Sequence, residues 1–455
     1  MMTEGFWQSR DCLKHVRDVA RARAVGPWAL LGVALARAIA TIPPDIVLPG
    51  IVGSRMSLNL FVAPVGPSGG GKGAAEAAAI DSFRFASYIE TVPLGSGEGI
   101  ARTFRPSGTK PDEPNPVTVA IFSAAEIDSL AAIASRQGSS LSAELRKMYS
   151  GEQLGFANAG KETRVIVPAG SYRACLIIGV QPLRSHALLG AADGGLPQRF
   201  VWLPTSDPDA PDERPEDPGA LRVSRPSWLR PAGITVELTI PDTAIDAIRA
   251  HRLAVLREEP SVDPLDGHLH LTRLKVAAAM MALEGRTIVS GEDWSLAGFV
   301  MDVSNYTRER CQRALADQSR TANRARALAS ADREEIISER KHQRCKDNIM
   351  RWVQRLGEGE LISRTQLTRN LKSDVRTCFD AAIGELIAEN RVIPVRTPKG
   401  IAYCGPTVDA SPTHSELQKQ GLDHGPRLDP GNPTPRHHPN RNNEATQQTT
   451  DEASA

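Results

Sequence analysis

Between Leu58 and Ala79 the sequence reads LNLFVAPVGPSGGGKGAAEAAA. An apolar run, four glycines between Gly66 and Gly71, one lysine and an alanine-rich stretch follow one another without interruption. No other segment narrows the possible folds as much. A buried strand must end, the chain must turn tightly, and a helix must begin, all around Lys72. The spacing from Gly66 to Lys72 fits the G-x-x-x-x-G-K phosphate loop, in which glycines let backbone N–H groups turn inward and the lysine reaches phosphate oxygens. Gly66, Ser68, Gly69, Gly70, Gly71, Lys72, Gly73 and Ala74 are therefore the expected nucleotide-binding residues, with ATP as the cofactor. A flexible glycine turn is the plainer reading, and the flanking strand and helix speak against it. Gly73 departs from the pattern, because a serine or threonine usually stands there and helps to hold Mg²⁺.

Further strands suit such a loop. VTVAIF from Val117, ACLIIGV ending at Val180, and RFVWLP after it are short apolar runs separated by helical stretches. Apolar strands alternating with helices predict an α/β domain with a largely parallel sheet. Just past VTVAIF stand Glu126 and Asp128, where a carboxylate orients an attacking water or holds Mg²⁺. Ser123 occupies the place where an aspartate more often ends that strand, and the plainer reading is a helix whose first turn favours acids. Gln181 ends the third strand, where a polar side chain is expected to sense the terminal phosphate. Arg199, in GGLPQRF, is a candidate to stabilise charge on a neighbouring subunit's nucleotide, against a surface arginine paired with an acid. If hydrolysis occurs without a hydroxyl at Gly73, Ser68, Glu98 and Glu126 are the nearest metal ligands in sequence. Arg273 and Lys275 are weaker candidates for a phosphate contact from a lid, against a solvated helix face.

The acidic, proline-rich stretch Ser206 to Gly219 is expected as an exposed loop. Helical patterns then dominate to about Arg340. From Lys346 a helix, a short helix at SRTQLTRNL, a longer one starting at Asp374 and two strands around Pro398-Lys399-Gly400 predict a winged helix. Residues 341–405 carry twelve Lys and Arg against seven Asp and Glu, whereas the whole chain has a net charge of only +1. Arg364, Arg369, Lys372, Arg376, Arg396 and Lys399 are the expected DNA contacts, with Arg376 and Thr377 at the start of the second helix. Such modules also dock proteins. The expected division is an N-terminal helical region (1–44), a phosphate-loop core (45–240), a helical lid (241–340), a winged helix (341–405) and a disordered tail (406–455).

Composition excludes several alternatives. A hydrophobic content of 41% and a charged content of 24% are ordinary for a globular chain. Cys12, Cys175, Cys311, Cys345, Cys378 and Cys404 are scattered, which fits a reducing cytoplasm better than a disulfide framework and gives no zinc spacing. His268 and His270 lack a third ligand. The stretch from Lys14 to Ala40 resembles a signal peptide, but Arg37 interrupts its apolar run, so a buried helix and no membrane span are expected.

Together FVAPVGPSGGGKGAA, PLGSGEGI, SRQGSSLSAELRKMYSGEQLGF, YRACLIIGVQP and GGLPQRFVWLP resemble a family of P-loop ATPases encoded by actinobacterial phages, prophages and mobile elements, described as helicase-like or primase-associated. The resemblance spans roughly Phe6 to Arg310. It implies an ATPase in replication of a mobile element, nucleotide contacts at Gly71, Lys72 and Gly73, an acidic role for Glu126, and sensor or finger roles for Gln181 and Arg199. A glycine after the lysine is tolerated in such proteins. The order of core, lid and winged helix is also similar to that of minichromosome-maintenance-type AAA+ helicases.

The leading expectation is an ATP-hydrolysing, helicase-like motor or loader acting on DNA, with Mg²⁺, as a homo-oligomer or ring alongside replication proteins. A DNA-binding factor that uses nucleotide as a switch with little hydrolysis is the rival that Gly73 and Ser123 favour. A protein-docking adaptor is the third.

Overall fold

The computed structural model describes residues 2–104, 117–134, 140–157, 164–190, 195–228, 233–260, 262 and 267–406. The expected disordered tail lies outside the described residues, apart from Pro406. Two compact units divide the chain, Met1–Ala329 and Ser330–Ala455.

The first unit opens with helices α1 (Met2–Gln8), α2 (Asp11–Ala22) and α3 (Pro27–Ala40). Pro27 sits in the first turn of α3, where its missing N–H costs nothing. Strands β1 (Ile46–Val47) and β2 (Phe61–Val65) follow, then α4 (Lys72–Ser82), β3 (Phe83–Phe85), β4 (Glu90–Pro93) and α5 (Gly97–Thr103). The middle of the unit holds β5 (Val119–Ala124), α6 (Ile127–Ala134), α7 (Leu141–Ser150), β6 (Leu154–Phe156), β7 (Val165–Val167) and β8 (Arg173–Ile178). It continues through α8 (His186–Leu189), β9 (Phe200–Pro204), β10 (Leu221–Val223), β11 (Val236–Glu237), α9 (Asp242–Leu256) and α10 (Leu269–Leu283). The long helix α11 (Gly291–Val353) comes next.

Five of these strands form one parallel sheet in the order β4-β5-β8-β2-β9, as the alternation of apolar strands and helices predicts. Strand side chains alternate between its faces. Val62, Ile121, Cys175, Ile177, Val201 and Leu203 join a core with α3, α4 and α10. Phe61, Phe122, Leu176, Ile178, Phe200 and Trp202 join a second core with α5, α6 and α7. Both faces are covered, which explains why the strands read as unbroken apolar runs rather than alternating ones.

Two expected boundaries change. The N-terminal helices are not a separate region, because α3 is buried on nearly every side and packs directly on the sheet. Likewise α10, expected within a lid, lies in that same core, with Leu274 and every residue from Val276 to Leu283 buried. The signal-like stretch is thus a core helix, and among the described residues no helix is long and apolar enough to cross a membrane. The acidic loop is exposed as expected, and Arg21 and Arg23 tie Asp207 and Asp217 back to α2 and its C-cap.

In the second unit, α11 buries Cys345, Ile349 and Val353 at helical spacing. Strand β12 (Ile362–Ser363), helices α12 (Arg364–Asn370) and α13 (Phe379–Ala388), and strands β13 (Ile393–Thr397) and β14 (Gly400–Cys404) complete it. The antiparallel order is β12-β14-β13, and Leu367, Leu371, Phe379, Ile383, Leu386 and Tyr403 fill the core. The expected boundary at 340/341 falls inside α11, which is continuous because no glycine or proline interrupts residues 299–353. The helix expected from Asp374 starts at Phe379, after a 3-10 turn at Arg376–Cys378.

Candidate functional site

Strand β2 is buried at all five positions and delivers the chain to the carboxyl edge of the sheet. There the chain turns through Gly66 to Gly71 before α4 begins. Gly69 and Gly71 have φ of 72° and 80°, a region in which a side chain is strained, so the turn needs glycine at both positions. Gly66 is required for a different reason: a Cβ there would stand 2.0 Å from Thr205 Oγ1. Its N–H donates to Val180 O at 3.0 Å, stitching the loop to the end of β8.

Lys72 is only 9% exposed. Its Nζ donates to Gly66 O at 3.2 Å and Pro67 O at 2.9 Å, and among the described residues no carboxylate pairs with it. A buried ammonium held by two carbonyls, beside the unpaired amides of a helix first turn, is an arrangement that attracts an anion. Gly70 N–H donates to Pro67 O, so that amide is already used inside the loop. Ser68 is exposed at the tip, and Gly73 and Ala74 are exposed in the first turn of α4. A Cβ on Gly73 would meet nothing within 4 Å.

The crevice beside the loop follows from the connections. Helix α4 leaves β2 toward one face, with Ala75, Ala78 and Ala79 in the first core. The chain leaving β8, the neighbour of β2, enters α8 on the other face, with Leu188 in the second core. Helix α6 leaves β5 toward that same face, with Ile127 and Leu130. Chains that part in this way open a cleft at the carboxyl ends of a parallel sheet. Gly179 brings its walls together: a Cβ there would lie 2.1 Å from Ala125 O and 3.3 Å from Lys72 Cδ. Lys72 and the chain entering Glu126 therefore meet across one glycine.

Glu126 is half-buried, and Gln181 Nε2 donates to its Oε1 at 2.9 Å, so these two expected residues are brought together at the same edge. Asp128 is instead paired with Arg184. Glu98 is placed beyond the crevice. It sits on α5 after the edge strand β4, three strands and about 14 Å from β2, and it accepts from Ser140 Oγ. Among the described residues no group of three His, Cys, Asp or Glu side chains is placed to hold a metal ion. One or two carboxylates with water and phosphate oxygens are enough for Mg²⁺.

Sequence reasoning missed three contributors. Glu76, four residues after Lys72 and so on the same helix face, accepts from Ser123 Oγ at 2.8 Å. Thr205 and Gly179 close the floor and wall of the loop. Helical periodicity points to Glu76, whereas nothing local in the sequence reveals the two close approaches.

Arg199 is at the opposite end of the sheet. It precedes β9, which runs parallel to β2, so it lies about 20 Å from the level of the loop. Its Nη1 donates to Gly195 O, its guanidinium lies 5.7 Å from the Tyr149 ring centre, and burial lowers its pKa. Within its own chain it does not reach the loop. Lys275 is fully buried and donates to Asn59 O and Tyr149 O, which rules out the phosphate contact expected from a lid; burial pushes its pKa well below the ordinary value. Arg273 is likewise held by Trp294 O and stacked on that ring. Burial, reinforced by Arg199 and Lys275, pushes His268 down to about 4. His270 is pushed to about 4 by burial, then by His251 and Arg273.

In the second unit, Arg369, Lys372, Arg396 and Lys399 are exposed and form no ion pair among the described residues. Arg364 is paired with Asp380. Arg376 is drawn back to the end of α12, with Nε donating to Leu371 O at 3.0 Å. The six expected cations thus separate into four that are free to meet an anion and two already engaged.

No protein-family model matches the chain, and no curated protein matches it.

Proposed function

We propose that the first unit binds a nucleoside triphosphate, with ATP as the leading substrate, at the Gly66–Gly73 loop, and that the second unit engages DNA. The observation that carries the reading is Lys72, a buried ammonium with only carbonyl partners inside a glycine turn at the head of α4. Phosphate oxygens supply the negative charge that this ammonium lacks. The residues present suit such a ligand, because the first-turn amides of α4 face the same side and Gly73 leaves its approach open.

In this reading Lys72 and the loop amides bind and orient the phosphates. Glu126, aligned by Gln181, orients a water and accepts its proton at a carboxylate oxygen. Mg²⁺ would neutralise phosphate charge when bound. Arg199 acts only on a neighbouring subunit's site, since its own loop is at the far end of the sheet, and this requires a homo-oligomer or ring. The antiparallel sheet with α12 and α13 is read as a winged helix, with Arg369, Lys372, Arg396 and Lys399 neutralising DNA phosphates. The resemblance to mobile-element ATPases supports an activity in DNA replication.

The test is ATP turnover by the wild type and by Lys72→Ala, each with and without single- and double-stranded DNA. Turnover stimulated by DNA and lost in the variant is expected. Turnover no higher than the variant's removes the motor. Gly73 and Ser123 support a second reading, a DNA-binding factor that holds nucleotide as a switch, for which tight binding without turnover is the signature.

A further inference from the structure

The bond between Ser123 Oγ and Glu76 Oε1 joins two positions that the phosphate-loop pattern does not connect. In phosphate-loop proteins a hydroxyl after the lysine and an aspartate ending a neighbouring strand hold the magnesium together. Both positions are altered here, and in complementary ways. The helix position after Lys72 has lost its hydroxyl to Gly73, while the strand position has gained one in Ser123. The carboxylate missing from the strand stands on the helix, at Glu76.

The geometry of a helix places that carboxylate usefully. Gly73 and Glu76 are three residues apart and share a face of α4. Helical side chains lean toward the N-terminus, the end of α4 that carries Gly73. The space above Gly73 is open, since a Cβ there would meet nothing within 4 Å. Ser123 approaches from β5 at the edge of the crevice where Glu126 and Gln181 also lie. Glu76 is half-buried and, among the described residues, in no ion pair. Arg37 feels its charge, which partly offsets the lowering of the Arg37 pKa by burial, but the two do not pair.

We propose that Glu76, aligned by Ser123, positions the divalent cation that accompanies a bound nucleoside triphosphate. Hydroxyl and carboxylate have changed places between helix and strand. The inference rests on reading Gly66–Lys72 as a phosphate loop. Its ligand is a hard divalent cation of the magnesium class, which keeps most of its waters and takes few protein oxygens.

Equilibrium titration of the full chain with a fluorescent ATP analogue, in Mg²⁺ and in EDTA, provides the test. The wild type is expected to bind more tightly with Mg²⁺. Glu76→Gln should keep its affinity in EDTA and lose a gain of roughly 10- to 100-fold in Mg²⁺, the range for removing an outer-shell group at a metal site. Adding Ser123→Asp to Glu76→Gln should restore the gain by returning a carboxylate to the strand. Ser123→Ala tests the pair without altering the helix and should lower the gain several-fold. A full Mg²⁺ gain in Glu76→Gln, or an unchanged gain in Ser123→Ala, overturns the proposal while the phosphate loop stands. Absence of ATP binding by the wild type in either condition overturns the loop reading, and this inference with it.

Discussion

Lys72 shows what one residue contributes and how much of that is legible in sequence. Its place after four glycines and before an alanine-rich helix is visible in the pattern, whereas its burial against Gly66 O and Pro67 O is not. Gly179 is the opposite case. It lies inside an apolar run, and its importance comes from Ala125 O, which approaches from the bend after β5. Gly179→Ala is therefore expected to destabilise the protein by about 1–3 kcal/mol, the usual cost of overpacking, measured by denaturant unfolding. Gly73→Ser, with open space around it, should stay within about 0.5 kcal/mol of wild type. A second residue-scale prediction concerns pH. His268 and His270 titrate at about 4 in the fold against an ordinary value of 6.5. On acidification the unfolded chain takes up these protons first, so stability present above pH 6.5 is lost progressively as pH falls toward 4. Thermal melts from about pH 7.5 to about pH 4 check this, and His268→Gln with His270→Gln should flatten the profile.

Elements were legible where their period was strong and their neighbours conventional. The strands from Phe61, Val119, Arg173 and Phe200 and the Ile393–Cys404 hairpin fall where apolar runs and turn residues put them. Helices were found, but their company was not. Helix α10 reads as one more helix, yet its alanines and methionines pack against α3, a partner more than 200 residues away in sequence. Likewise α11 reads as two helices because its middle is polar, and polarity sets exposure rather than continuity. Helix α12 offers a test of local design. Ser363 and Gln366 form a capping box, so Ser363→Ala should cost about 1 kcal/mol. The four unpaired cations among the six expected DNA contacts make a separable prediction about binding. Replacing Arg396 and Lys399 with alanine should weaken DNA binding and make the salt slope shallower by about one for each phosphate no longer neutralised. An unchanged salt slope would favour protein docking.

At the scale of the whole molecule, the proposal gives nucleotide to the first unit and DNA to the second, and the division at Ala329 separates the residues involved. All loop and crevice residues, from Gly66 to Thr205, precede it, and Arg369, Lys372, Arg396 and Lys399 follow it. The parallel sheet was foreseeable from the alternation of strands and helices. The joint burial of the N-terminal helices with α10 was not, because it depends on long-range packing. Every assignment in the first unit depends first on the Gly66–Gly73 loop holding a nucleotide through Lys72. Calorimetric titration of the full chain with ATP in Mg²⁺, beside Lys72→Ala of matched thermal stability, tests this without intermediate steps. One ATP bound per chain by the wild type is expected, with a severe loss of affinity in the variant. Equal affinity in the two proteins, or no binding by either, would contradict it.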